Sequence, residues 1–244
     1  MDALLYGVRQ AAAAAVIAAM LVAITLFAVG TVRGHPEDLP WTELDLRQPI
    51  GPFTGRKLTT LGRVPTQCRA LLTEAGMDYR VIAPVSDGQC GYADGVQVTG
   101  GTVAYTPARL GTSCAVAATL AMWEWDVIQP AARKYLGANV VGIDHLGGYN
   151  CRRIRDSGES GSWSEHARAN AVDIAGFRLS NGTRVTLAAD WRGNGDKATF
   201  LRTVRNGACR LFATTLSPDY NAAHHDHLHL DQAARGKFAW RSCR

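Results

Sequence analysis

From Ala11 to Val32 the chain runs for 22 residues without a charged side chain. At about 1.5 Å per helical residue, such a run crosses a hydrocarbon core of about 30 Å. It is longer than the roughly 7–15 apolar residues of an ordinary signal peptide, which favours a retained anchor over residues 1–33. Ala28-Val29-Gly30 has the small-residue pattern of a cleavage site, so a removed signal segment is the alternative. Arg9 before the run and Arg33 after it give little charge bias. The cysteines orient the chain better. Cys68, Cys90, Cys114, Cys151, Cys209 and Cys243 all follow the apolar run, and disulfides persist on the oxidising side of a membrane. An even count with no CxxC pair points to three disulfides rather than a thiolate-bound metal, with the pairing open. The expectation is a periplasmic domain held to the inner membrane by an N-terminal helix, or a free periplasmic one if the segment is cleaved.

Charged residues make up 19% of the 244 and apolar ones 47%, a globular balance that excludes a disordered chain. The net charge is +5, of which residues 1–33 contribute only +1. No run of Lys or Arg marks a nucleic-acid patch, so no nucleic-acid partner is expected, and no protein partner is identifiable. Residues 34–57 mix Pro, Gly and charge without a period and read as a linker before a domain over 58–244. In that domain the pattern predicts a helix over 65–75, a strand over 79–83 and a disulfide-pinned loop or hairpin over 86–101. Thr112 or Ser113 should cap a long helix to Leu136, kinked at Pro130 and ended by Gly137. Strands are expected over 140–143, 171–177, 184–187 and 227–231, and a helix over 196–215 that Gly207 weakens. Helices and strands mix without βαβ alternation. The fold class is therefore α+β, a small mainly antiparallel sheet with flanking helices, stapled by disulfides.

Two segments carry chemistry, Ser164 to Asp173 and His224 to Asp231. In the second, strand alternation puts His227 and His229 on one face with Asp231 while Leu228 and Leu230 face the core. His166 and Asp173 are close enough in sequence to close on a neighbouring strand. Imidazole nitrogen and carboxylate oxygen suit Zn2+, and three protein ligands leave a position for water, which zinc can bring to a pKa near about 7.

His166-x6-Asp173 with His227-x-His229 is similar to the LAS metallopeptidases, which include lysostaphin-type enzymes, D-Ala-D-Ala carboxypeptidases and hedgehog-like folds. The wider run resembles the bacterial extensin-like C-terminal domain family. The residues that carry this are Cys90-Gly91-Tyr92-Ala93-Asp94-Gly95-Val96, Ile143-Asp144-His145, Tyr149-Asn150-Cys151-Arg152, the stretch from Ser164 to Phe177, and Pro218 to His224. The resemblance implies zinc held by His166, Asp173 and His229 in a LAS-type core. It implies a general base at His224, three residues before His227, where many relatives have Glu and the penicillin-insensitive murein endopeptidases have His. His227 would then steady the oxyanion or assist the base, and Arg152 would hold a substrate carbonyl or carboxylate. Where the peptidase pattern often has Gly, three residues after the first ligand, this chain has Ala169. The implied activity is cleavage of peptidoglycan stem-peptide or cross-link amides, endopeptidase ahead of carboxypeptidase. A non-catalytic zinc module that binds wall or protein is the rival.

Other residues rank lower. Ser164 is better placed to bond the segment of His166 than to act as a nucleophile, and Glu165 should point away from the site. Asp144 and His145 read as a hydrogen-bonded structural pair. His227-x-His229-x-Asp231 mimics the metallo-β-lactamase motif, but Gln232 stands where that motif has its last histidine.

Overall fold

The computed structural model of the chain describes residues 2–99, 103–154, 161–236 and 240–244. Of the expected 86–101 loop, Gly100 and Gly101 lie outside the described residues. The uncharged run forms α1, Asp2–Gly34, long and apolar enough to cross a membrane as an anchor or to act as a signal sequence.

After α1, the stretch read as a linker is not all free chain. Leu46 is 1% exposed and belongs to the core, and Gly51 is buried. A short helix α2, Thr54–Thr60, then begins inside the expected linker boundary. A linker shows no periodicity, but neither does an irregular segment with scattered buried residues such as Leu46 and Gly51, so pattern alone cannot separate them. Helix α3, Pro65–Glu74, starts on its proline and stops before Gly76, which takes a left-handed φ of 74°.

The expected pinned hairpin is present. Strands β1 (Tyr79–Val81), β2 (Val85–Asp87), β3 (Cys90–Tyr92) and β4 (Gly95–Val98) follow in turn, with β2 paired antiparallel to β3. Next come β5 (Ala104–Thr106) and β6 (Gly111–Ser113). A small antiparallel sheet runs β1-β4-β6.

Ser113 caps the long helix as expected: its hydroxyl accepts from the Val116 N–H at 3.3 Å. The first part, α4 (Cys114–Trp123), is buried at every position, as befits a helix apolar all round. Glu124–Ile128 widen into a π turn just before Pro130, which has no N–H to give the preceding turn, and α5 (Gln129–Leu136) ends on left-handed Gly137. The remaining elements are β7 (Val140–Gly147), β8 (Ala171–Leu179), β9 (Arg184–Thr186), α6 (Leu187–Asp190), α7 (Asp196–Leu211), β10 (Thr214–Leu216), β11 (Leu228–Asp231) and β12 (Ser242–Cys243).

The large sheet has the order β12-β10-β11-β8-β7-β5, with β9 also on β8. Its centre is antiparallel, while β5 on β7 and β12 on β10 are parallel. Helix α7 stops short of Thr215: Phe212 is extended, and β-branched Thr214 and Thr215 join the sheet, where pairing outweighs local helical pattern. Gly207 serves packing, since a Cβ there would run into Val127 of the π turn. The core lies between the helices and this sheet. Trp123 of α4 meets Phe177 of β8 and Phe212 edge-on, Phe177 meets Phe200 of α7, and Trp123 Nε1 donates to the Val204 carbonyl at 2.8 Å.

All six cysteines pair: Cys68 with Cys114, Cys90 with Cys151, and Cys209 with Cys243. They tie α3 to α4, the β2–β3 hairpin to the chain after β7, and α7 to β12. Alkylation without reductant is expected to label no cysteine in protein taken from its oxidising compartment. Removing one bridge should cost about 2–4 kcal/mol in denaturant melts. Six labelled thiols in that protein would contradict the pairing.

Candidate metal centre

His166, Asp173 and His229 converge, and the sheet explains two of the three. Asp173 of β8 and His229 of β11 are direct cross-strand partners, so their side chains leave the same face side by side. Leu228 and Leu230 face the core with no exposure, as alternation requires. His166 arrives from a single 3-10 turn, Glu165–Arg168, where the His166 N–H donates to the Ser164 hydroxyl at 3.3 Å and the Ala167 N–H to the Ser164 carbonyl at 2.9 Å. The turn ends at Ala169 with φ 52° and ψ 19°, the left-handed region. An alanine there carries strain of about 1–2 kcal/mol that a glycine would not.

His166 Nε2 lies 3.1 Å from Asp173 Oδ1 and 3.1 Å from His229 Nδ1, and His229 Nδ1 lies 3.0 Å from Asp173 Oδ1. The outer sides of both rings are engaged. His166 Nδ1 donates to the Gly148 carbonyl at 2.9 Å, and His229 Nε2 to Asp231 Oδ2 at 3.1 Å. Each ring has then spent its one neutral-state proton outward, so three lone pairs face one another. Such a triangle repels itself unless a cation or an added proton sits within it. Ligand atoms around tetrahedral zinc, bonded at about 2.0–2.1 Å, stand about 3.3 Å apart. The observed triangle is a few tenths of an ångström tighter, so the donor set fits such an ion with little movement.

The neighbouring histidines are fixed as well. His224 Nδ1 donates to Asn221 Oδ1 at 2.6 Å, and its ring stands 5.2 Å from that of His227 and 5.9 Å from that of His229. Burial, and then the charges of His227 and His229, push His224 down to about 4, so it is neutral at pH 7 with Nε2 free to accept a proton. His227 lies just before β11 rather than in it, yet reaches the same side: its Nε2 is 3.7 Å from Asp173 Oδ1, and its Nδ1 is 2.8 Å from Asp226 Oδ1. Arg152 is half-buried. Its Nη1 donates to the Arg153 carbonyl at 3.4 Å, its Nε finds no partner among the described residues, and its charge bears on His224. Among the described residues it makes no salt bridge.

The family model for the extensin-like protein C-terminus matches residues 66–244. The chain belongs to this family. No curated protein and no solved structure matches it. The extensin-like stretch contains all three disulfides and every residue of the centre.

Within it, the structure brings His166, Asp173, His229, His224 and His227 together, with Arg152 near enough to act electrostatically on His224. It leaves Glu165 aside, where its Oε2 accepts from Asn170 Nδ2 at 2.6 Å. The expected Asp144–His145 pair is not made. Asp144 bonds Arg178 and Arg184, and His145 Nε2 donates to the Pro107 carbonyl at 2.7 Å, because consecutive strand residues face opposite sides. Strand alternation placed Asp231 on the face of His229 but gave it no role, and sequence reasoning assigned none to Asn221 or Gly148; a backbone carbonyl such as that of Gly148 leaves no sequence signal.

Without metal, the added proton has a place. Burial alone would pull His229 down, but its hydrogen bonds to Asp173 and Asp231 win and raise it to about 9. Asp173 is likewise favoured by burial to stay neutral, yet bonds from His166 and His229 hold it well below the usual carboxylate range. A metal held by His229 Nδ1 would therefore displace that proton at neutral pH. Affinity for zinc should rise about tenfold per pH unit from pH 6 to 8, read with a chromophoric chelator. Calorimetry in buffers of different ionisation heat should count one proton released. An affinity flat across that range would mean that His229 is already neutral.

Proposed function

We propose that this extensin-like chain is a zinc-dependent peptidoglycan hydrolase that cuts stem-peptide or cross-link amides, acting on the outer face of the membrane in which α1 is anchored. The observation that carries the reading is the triangle of inward lone pairs from His166, Asp173 and His229 beside a neutral, held His224. Its likeness to the LAS-type peptidase pattern supports the same reading. Two nitrogens and one oxygen suit zinc. Zinc bound there would polarise the scissile carbonyl and supply an activated water at neutral pH.

The chain's own residues supply the rest. His224 takes the proton of the attacking water at Nε2, its ring aligned by Asn221, and passes that proton to the leaving amine. His227, with Asp226 balancing its imidazolium form at Nδ1, turns Nε2 towards the same space and can hydrogen-bond the oxyanion. Arg152 lacks a carboxylate partner among the described residues, so its guanidinium is available to a substrate carbonyl or carboxylate.

The test is direct. Full-length protein with one equivalent of zinc is incubated with purified peptidoglycan, and the released fragments are identified by mass. New amine ends at stem-peptide or cross-link bonds are expected, absent after chelation. A folded, zinc-loaded protein that releases nothing but sediments with the wall would establish the binding module instead.

A further inference from the structure

A cavity of about 710 Å³ opens between α2 and the chain that follows β11, and no residue of the metal centre lines it. Its wall carries Arg56, Arg63, Arg235 and Arg241 without a single Asp or Glu, and Phe53 and Trp240 add flat apolar faces.

Two of these arginines are built in. Arg241 donates to the carbonyl of Leu211 at 2.8 Å and to that of Phe212, and Arg235 to the Ala213 carbonyl at 3.0 Å and the Thr214 hydroxyl. Gly55 allows this, since a Cβ there would run into the Arg241 guanidinium. Carbonyls and hydroxyls hold a guanidinium in place but leave its charge unbalanced. Burial draws Arg241 down to about 10, with no carboxylate nearby to offset it. The other two, Arg56 and Arg63, are exposed and make no hydrogen bond or ion pair among the described residues. Four cations line one cavity, two held by backbone and hydroxyl oxygens and two without a side-chain partner, and no described lining residue is acidic.

We propose that this cavity binds a phosphate-bearing ligand, with the phosphate on the arginines and the rest of the ligand against Phe53 and Trp240. The planar guanidinium fork bonds phosphate oxygens in pairs, and four uncompensated charges suit a phosphate better than a lone carboxylate. Two sources share this chemistry. One is the headgroup of an anionic phospholipid, since the chain just before the cavity wall packs Gly51 against Glu37, three residues after the end of α1. The other is a soluble phosphate ester.

Full-length protein in neutral detergent would be titrated calorimetrically with dihexanoyl phosphatidylglycerol, with acyl-free glycerophosphoglycerol, and with dihexanoyl phosphatidylcholine as the zwitterionic control. Binding of phosphatidylglycerol with a Kd below about 100 μM is expected, and Arg56→Gln with Arg63→Gln should weaken it about tenfold or more, with zinc content unchanged. Equal affinity for the acyl-free diester would identify the soluble source, and binding of phosphatidylglycerol alone the lipid. The proposal fails if neither anion binds better than phosphatidylcholine, or if the double variant binds like the wild type.

Discussion

His229→Ala is expected to leave the protein folded and without stoichiometric zinc, and to abolish hydrolysis with it. His229 is the hinge of the triangle: its Nδ1 meets both His166 Nε2 and Asp173 Oδ1, at 3.1 and 3.0 Å. Alanine removes one of three donors and leaves the Asp173 and Asp231 carboxylates without the ring between them. Loss of an outer partner alone usually weakens a metal site about 10–100-fold, so loss of the ligand should exceed about 100-fold. Asp231→Asn gives the graded comparison. It keeps His229 but replaces the carboxylate on Nε2 with an amide, and should weaken zinc by the smaller factor of about 10–100. Zinc per protein would be counted by mass spectrometry after gel filtration, with circular dichroism of the same sample. The fold has independent support from three disulfides and the Trp123–Phe177–Phe200–Phe212 ring cluster, none of which touches His229. If His229→Ala retained one tight zinc, the ion would have to lie elsewhere.

The parts of this molecule that were legible in its sequence are those in which one local rule decides the outcome. Alternation placed Leu228 and Leu230 inward and His229 with Asp231 on the other face, and the cross-strand register with Asp173 completes the geometry. Ser113 and Gly137 bounded the long helix because capping is a matter of a few bonds. The disulfide pairing was not legible, since it depends on which elements meet: Cys90 reaches Cys151 only because the β2–β3 hairpin folds over the chain after β7. The end of α7 was misjudged for the same reason, because Thr214 and Thr215 are drawn into a sheet between β11 and β12, a pairing that the local pattern does not carry. Leu46 shows the limit most simply: one buried side chain in an aperiodic segment leaves no pattern to read. The arginine-lined cavity was invisible as well, since Arg56 and Arg63 come from the start of the domain and Arg235 and Arg241 from its end.

His224→Ala should fail in a different way, keeping zinc while slowing hydrolysis by about 10²–10⁴-fold, the usual worth of a positioned base. Among the described residues the His224 ring donates to none of the three inward atoms; its side-chain hydrogen bond goes outward to Asn221, so removing it should not disturb the ligands. Its lowered pKa of about 4 sharpens the expectation. An imidazole so depressed has the basicity of an ordinary glutamate. His224→Glu should therefore recover activity to within about tenfold of wild type, where alanine cannot, because it restores a base of similar strength. The sign of the pH dependence follows. A base that is neutral above about 4 should hold the wild-type rate as pH falls through 6.5, where an unperturbed histidine would already be losing it. Rates would be compared only over the range in which zinc stays bound, with metal content measured at each pH. Asn221→Ala adds a finer test, since it frees the ring without changing its chemistry and should lower the rate less than His224→Ala does. Full activity of His224→Ala on a wall fragment that the wild type cleaves would move the base to His227, whose Nε2 stands 3.7 Å from Asp173 Oδ1 without belonging to the triangle.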